Sequence, residues 1–379
     1  MKAFRTTIEQ AIDFVLFIIA RILKPVVNGA HPAAPGVLLC TIGGIGDYLL
    51  LTASLRGYRE LFPNRQVVLL VRSGIEDLAK HSPHVDRVIA IDLARVHNTL
   101  NEKLRLWITL LSTPFDIAIN IDYSTHAESL SETIVRWSQA KRRVAFRCLD
   151  SDAHRDYSAY TDVVPQKVEW LFEIQRNNTL LNFLGLRDYS DSVTHVWGLE
   201  PHIFPPALSA LMPQHEYYVL FPGAGVAGRC WPPENFGQLI EHLRVLQYTP
   251  VICGGEQEAS LVAKLHQNTS VEVIDLTGQT SLMDLAAVIK DAQFVISNET
   301  SAVHIAAAVQ TPVFVIAGGG HYGRFVPYPG TVSIIPIIND DFRICFQCNW
   351  HCIYDHFRCI AEISVASVAS VILAHIRKS

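Results

Sequence analysis

The chain has 379 residues, 49% of them apolar and 18% charged, with a formal net charge of −5 at pH 7. That length exceeds one ordinary core and calls for two domains. The apolar share suits buried parallel sheets, and the net acidity argues against nucleic acid as a partner.

The chain opens on an amphipathic helix. Ile8, Ile12, Val15, Leu16, Ile19, Ile22 and Leu23 fall on one face, with Glu9, Gln10, Asp13 and Lys24 opposite. Phe14 to Ala20 is too short an apolar run to span a bilayer, and no cleavable signal peptide is read. Two roles stay open for this helix: a peripheral contact with the inner membrane, or docking on the protein's own body or a partner subunit. A Pro/Gly/Ala linker ends the segment, so residues 1–35 stand apart and the protein is expected to be cytoplasmic.

Val37 to Cys40 then reads as a buried strand, ending in Thr41-Ile42-Gly43-Gly44-Ile45-Gly46-Asp47 and a helix to about Leu61. Further strands are expected at Val67 to Val71, Val88 to Ile91 and Ile117 to Ile121, with a helix over Leu104 to Leu111. Arg136 to Phe146 is basic with a short strand; Leu149 to Asp162 is a polar loop. Its Asp150-Ser151-Asp152 is read as loop chemistry rather than a metal–nucleotide motif, because no strand leads into it. Val168 to Leu184 is helical, and the stretch from Gly185 to Gln214 is a junction.

A second alternation follows. Strands are expected at Tyr217 to Phe221, Pro250 to Cys253, Val271 to Leu276, Phe294 to Ile296 and Val313 to Ile316. Helices are expected at Phe236 to Leu246, Gln257 to His266, Leu282 to Lys290, after Ser297, and at Val365 to Arg377. Such alternation means an α/β fold of doubly wound parallel sheets. Ser297-Asn298-Glu299-Thr300-Ser301 forms an elbow at a strand's carboxyl end. Glu299, Thr300 and Ser301 are expected in the first helical turn, where free N–H groups and the dipole favour an anion. His304 lies four residues past Thr300 on the same face.

Five pieces resemble glycosyltransferase family nine, the ADP-heptose:lipopolysaccharide heptosyltransferases. They are I-G-G-I-G-D-Y-L-L-L-T at Ile42 to Thr52, P-G-A-G-V-A-G-R-C-W-P-P-E-N-F at Pro222 to Phe236, G-G-E at Gly254 to Glu256, L-T-G-Q-T-S-L at Leu276 to Leu282, and S-N-E-T-S-A-V-H-I-A-A-A at Ser297 to Ala308. They come in the family's order and cover roughly Val37 to Ile363. The resemblance implies a GT-B architecture, two Rossmann-like domains facing a central cleft. An acceptor domain would occupy 36–200. A nucleotide-sugar domain would occupy 215–363, with a Cys-rich segment at 345–359, and a C-terminal helix 364–379. It implies metal-independent inverting transfer, most simply of heptose from ADP-heptose to a lipopolysaccharide core or other surface glycan or glycolipid.

Carried onto this chain, the resemblance makes Asp47 the general base that takes the acceptor's proton. On its residues alone, Asp47 reads equally as a helix cap. Gly43, Gly44 and Gly46 would let the backbone approach a ligand. Arg229 stands where family members usually have Lys. It would hold the donor diphosphate and stabilise it as it departs. Gly223, Ala224 and Gly225 would offer backbone N–H groups, although family members often carry hydroxyls at the last two positions. Glu256 suits ribose hydroxyls or a helix terminus, and Glu299 replaces the family's usual Asp near the sugar. Thr300 and Ser301 would bind phosphate; His304 would touch the donor or pack the helix. Trp231 and Pro232 are read as fixing their loop. Gly318-Gly319-Gly320-His321 is a tight turn near a ligand or a flexible loop.

Eight cysteines in so long a chain do not suggest a secreted scaffold. Cys40 and Cys253 read as core residues, whereas Cys345, Cys348, Cys352 and Cys359 have metal-ligand spacing, for structural zinc or iron or for free thiols. Transfer of another nucleotide-activated sugar stays open, and two other functions compete. Gly43-Gly44-Ile45-Gly46 with Arg72 at the second strand's end would suit an NADP oxidoreductase, although the spacing is not G-x-G-x-x-G. A non-catalytic membrane-docking or assembly protein is the third.

Overall fold

A computed structural model describes residues 19, 35–122, 130–147, 157–165, 171–329 and 333–377. The N-terminal amphipathic helix and linker, and the Asp150-Ser151-Asp152 triplet, therefore lie outside the described residues, save Ile19 and Pro35. Two compact units form. The first is built from residues before 170 and from Ile174–Ser192, the second from 171–173 and from Val193 onward.

The first unit runs β1 (Gly36–Cys40), α1 (Ile45–Leu61), β2 (Val67–Arg72), β3 (Arg87–Ile91), α2 (Leu100–Ser112), β4 (Phe115–Asn120), α3 (Leu130–Trp137), β5 (Arg142–Phe146), β6 (Asp162–Val164) and α4 (Glu173–Leu184). Its sheet is parallel with the order β3-β2-β1-β4-β5-β6. β1 sits between two neighbours and under helices, so Val37, Leu38, Leu39 and Cys40 are fully buried. Each such aliphatic side chain contributes about 1.5–3 kcal/mol on burial. That double covering is why the strand reads as an unbroken apolar run. The second unit repeats the plan with β7 (Tyr217–Phe221), α5 (Pro233–Leu243), β8 (Thr249–Ile252), α6 (Ala259–His266), β9 (Ile274–Asp275), α7 (Leu282–Lys290), β10 (Val295–Asn298), α8 (Ser301–Val309), β11 (Val313–Ile316), β12 (Ile334–Ile337) and α9 (Val365–Ile376). Its parallel order is β12-β11-β10-β7-β8-β9. Val368, Ala369 and Ile372 of α9 join this unit's core beside α5.

Several local expectations change. Arg136 lies in α3, and the short strand expected in Arg136 to Phe146 is β5. The Val271 to Leu276 strand shrinks to Ile274–Asp275, and β12 appears where none was expected. β12 is an edge strand, where Pro336 costs little pairing. Thr300 is not in the first helical turn. It is the N-cap of α8, in extended conformation, with its hydroxyl accepting from the Ala302 N–H at 3.3 Å. Glu299 precedes it, and Ser301 opens the helix. Among the described residues no helix is long and apolar enough to cross a membrane.

Helix α5 packs so closely on α6 that a methyl at Gly237 would sit 2.5 Å from the Leu265 carbonyl oxygen and 2.7 Å from the Asn268 Cβ. Helix propensity alone favours alanine over glycine by about 1 kcal/mol. Overpacking against backbone outweighs that gain, by about 1–3 kcal/mol. Gly237→Ala should therefore lower the melting temperature by several degrees in calorimetry. An unchanged or raised value would show that the two helices separate freely.

Candidate active site

Each sheet has one place where successive connections leave in opposite directions, and ligands of doubly wound folds gather there, beyond the carboxyl ends of the strands. In the first unit this switch point lies between β1 and β4. The chain leaving β1 passes through Gly43 and Gly44 into α1. Asp47 lies in the first turn of α1, and its Oδ2 accepts from the Gly44 N–H at 2.7 Å. A Cβ on Gly43 would lie 2.8 Å from that same oxygen. The bare Gly43 thus lets the loop fold onto Asp47. Gly46 lies within α1.

A second carboxylate, absent from the sequence reading, stands at the end of β4. Asp122 accepts from the Thr41 hydroxyl and the Ile42 N–H, both at 2.8 Å. Burial raises its carboxyl to about 6; the Ile42 and Thr41 hydrogen bonds and Arg176 oppose the shift, and the charge of Asp47 adds to it. Asp122 therefore braces the first residues of the loop that carries Asp47. Its only sequence signal is an acid at the end of an apolar strand.

In the second unit the switch point lies between β7 and β10. Pro222, Gly223, Ala224 and Gly225 leave β7 there, opposite Asn298 at the end of β10. The Asn298 side chain is fully buried. Its Nδ2 donates to the Pro222 carbonyl at 2.6 Å and its Oδ1 accepts from the Trp231 N–H at 2.9 Å. Trp231, also buried, donates Nε1 to the Ile363 carbonyl at 2.8 Å, so it fixes the loop as expected. Gly223 has no room for a side chain, because a Cβ would fall 1.8 Å from Glu258 Oε1. Gly225 is exposed, with open space around it.

Arg229 ends a single 3-10 turn, Ala227–Arg229, and is half-buried. Burial lowers its pKa, and the nearby charge of Glu299 offsets this in part. Burial in turn raises Glu299 to about 7, against the pull of Arg229. Glu299 Oε2 and Arg229 Nε are both buried without a hydrogen-bond partner among the described residues. A cation and a carboxyl with spare hydrogen-bonding capacity thus stand beside the N-terminus of α8. That set can hold an anionic group and a hydroxyl together.

The remaining candidates divide. Ser301 lies at the start of α8, but the Thr300 hydroxyl is engaged with Ser297 at 3.1 Å as well as with its cap. His304 is buried; its Nδ1 pairs with the Tyr328 hydroxyl at 2.8 Å, and burial lowers it to about 4. Its ring packs α8 as a neutral side chain. Glu256 is exposed at the start of a 3-10 turn, whereas Glu258 is buried and accepts from the Gly255 N–H at 2.6 Å.

Gly318, Gly319 and Gly320 do not form an open flexible loop. Side chains at these positions would strike Ile360, Phe346 and Trp350 of the Cys-rich segment and its neighbours. Cys345, Cys348, Cys352 and Cys359 all line one cavity of about 440 Å³. Thiols are the right donors for zinc or iron. Yet among the described residues no three His, Cys, Asp or Glu side chains are drawn together to hold an ion. The described cysteines are free, and Cys40 and Cys253 are core residues as expected.

The sequence model of the family described as "Glycosyltransferase family 9 (heptosyltransferase)" matches residues 103–346. Lipopolysaccharide heptosyltransferase 3 of Escherichia coli K12 is 24% identical over 293 residues, 75% of this chain and 82% of that protein. A glycosyl transferase family 9 structure from Veillonella parvula superposes with a TM-score of 0.73 at 17% identity, covering 92% of this chain and 99% of that one. The E. coli ADP-heptose lps heptosyltransferase II structure gives 0.68 at 15%, covering 90% and 99%. These likenesses agree with the fold of two parallel α/β units.

The Glu299 carboxyl has a test of its own. Held at about 7 in the folded protein, it keeps a proton that the unfolded chain releases from about pH 4.5 upward. Its stabilising contribution is present below that window and is lost as pH rises to 7 and beyond, by at most about 3 kcal/mol. Glu299→Gln removes this dependence. Melting curves should show the variant gaining on the parent as pH rises from 5 to 8; a constant difference would mean that Glu299 is ionised throughout.

Proposed function

We propose, starting from the fact that the chain belongs to glycosyltransferase family 9, that it transfers heptose from ADP-heptose to a lipopolysaccharide core or another bacterial surface glycan, with inversion at the anomeric carbon. Family membership makes it a glycosyltransferase and sets aside the oxidoreductase reading of Gly43 to Gly46 with Arg72. The relatives named as heptosyltransferases favour heptose. One observation carries the donor-side reading: Arg229 and Glu299 stand with unspent hydrogen-bonding capacity beside the N-terminus of α8, at the second unit's switch point.

In this reading the second unit binds the nucleotide-sugar and the first binds the acceptor. Arg229, the N–H groups opening α8 and those of Gly223 to Gly225 hold the diphosphate. Their charge stabilises it as it leaves, without a catalytic metal. Glu299 takes a sugar hydroxyl, and Ser301 supports the phosphates. Glu256, exposed at the end of β8, meets the ribose. Asp47 removes the proton from the acceptor hydroxyl as it attacks the anomeric carbon from the face opposite the diphosphate. Asp122 keeps the Thr41–Ile42 corner in place beneath it. We place the enzyme in the cytoplasm, with the amphipathic face within residues 1–35 meeting either the inner membrane or a protein surface.

Calorimetry should show ADP binding in preference to UDP and GDP, weakened at least about tenfold in Arg229→Ala. Preference for UDP or GDP would remove heptose and keep the transferase. Asp47→Asn retains an oxygen for the Gly44 N–H but cannot act as base. It should bind ADP normally and lose transfer by about 10²–10⁴-fold. Transfer at the parental rate would sink the assignment.

The four thiols around the cavity would be the ligands of a structural zinc or iron, which would have to draw them together. Elemental analysis should find about one ion per chain, lost in Cys348→Ser together with several degrees of melting temperature. Metal-free protein with four titratable thiols there would assign them as free cysteines.

A further inference from the structure

We propose that Trp350, in the Cys-rich segment, is a positioning residue for Arg229: its indole lies under the guanidinium and aims that cation at the diphosphate of the donor. The proposal rests on the reading of Arg229 as the diphosphate's cation. The Arg229 Cζ sits 4.2 Å from the centre of the Trp350 ring. The one-turn helix Ala227–Arg229 gives so long a side chain little support of its own. Stacking on a ring holds a guanidinium flat while leaving the N–H groups around its edge free. A carboxylate partner in the same place would consume the charge and the fork that a phosphate needs.

The placement of Trp350 is built with some effort. Trp350 has φ of 61°, and Asn349 and Gln347 have φ of 49° and 66°, all in the left-handed region that disfavours side chains. The segment is held there by the Gln347 N–H on the Gly319 carbonyl at 2.7 Å and the Asn349 N–H on the Gly320 carbonyl at 3.0 Å. His321 Nε2 and Asn349 Oδ1 add a further contact at 2.7 Å. A Cβ on Gly320 would lie 2.2 Å from Trp350 Cδ2, so that glycine is what lets the ring in. Phe357 meets the ring edge-on, 5.2 Å between ring centres. Meanwhile the indole Nε1 is buried with no hydrogen-bond partner among the described residues. The polar end of the ring therefore does not explain a tryptophan here, and its face does. Strain concentrated around one ring that meets a ligand-facing cation points to a functional placement.

The test measures ADP and AMP affinity in Trp350→Leu, Trp350→Phe, Arg229→Ala and the Trp350→Leu/Arg229→Ala double variant. Trp350→Leu should weaken ADP about tenfold and AMP much less, because AMP lacks the second phosphate. Trp350→Phe, which keeps a ring face, should restore most of the loss. In the Arg229→Ala background Trp350→Leu should cost nothing further. Equal losses for ADP and AMP, or the same loss with and without Arg229, would make Trp350 a merely structural residue and overturn the proposal. Arg229→Lys keeps the charge but not the plane, and tests the stack without disturbing the segment: parental ADP affinity there also overturns it. Should Arg229→Ala bind ADP like the parent, the diphosphate reading falls and takes the proposal with it. A loss in Arg229→Ala with none in Trp350→Leu removes the proposal alone.

Discussion

The amide of Asn298 is fully buried at the end of β10, where each unmet polar group would cost about 1–3 kcal/mol. It meets that demand by donating to the Pro222 carbonyl and accepting from the Trp231 N–H. Those two bonds bring both ends of the Pro222 to Trp231 loop to the strand beside it. Trp231 is then locked by its own bond to Ile363. Arg229, two residues earlier, thus projects from a loop with a fixed root. On the other side of β7, after β8, Glu258 fills the space left by Gly223 and Gly254, where any Cβ would collide with its carboxylate. Gly223 and Gly254 therefore serve the packing of an acid, and the open space lies at Gly225.

The two switch points share one backbone plan and differ in chemistry. In the first, two carboxylates, Asp47 and Asp122, lie close enough to feel each other's charge. Such pairs divide their roles by environment, one holding a proton more tightly than the other. In the second, a cation and a carboxyl meet a helix N-terminus. An acid-lined site suits proton removal, and a cationic one suits the stabilisation of a departing diphosphate. The same fold thus carries an acid pair at one switch point and a cation beside a carboxyl at the other.

How much of this was legible follows from the range of each interaction. Buried parallel strands such as Val37–Cys40 and Val67–Val71 announce themselves as apolar runs because helices cover both faces. β12 did not, since an edge strand containing Pro336 carries no such signature, and β6 is only three residues long. Asp47 and Arg229 stood out through the resemblance to glycosyltransferase family nine, and the elbow at Ser297 to Ser301 because it sits at a strand's carboxyl end. Thr300 was misplaced by one boundary, a cap read as the first turn. Asp122 was missed because its partners, Thr41 and Ile42, are 81 and 80 residues away. Glu256 drew attention by adjacency to Gly254 and Gly255, while the buried acid is Glu258, two residues on, where the 3-10 turn points inward.

The replacement of the family's usual Lys by Arg at position 229 reads as a loss of similarity in one dimension and as part of a pair in three. A lysine ammonium has no plane and gains little orientation from a flat ring; a guanidinium stacked on an indole is fixed in direction and keeps its charge. Trp350 reaches that position only because Gly320 is bare and the Cys-rich segment tolerates a run of left-handed residues. The segment and the glycine triplet, which look in the sequence like a metal knot and a loose loop, are one packed assembly, and its Trp350 ring meets the Arg229 guanidinium.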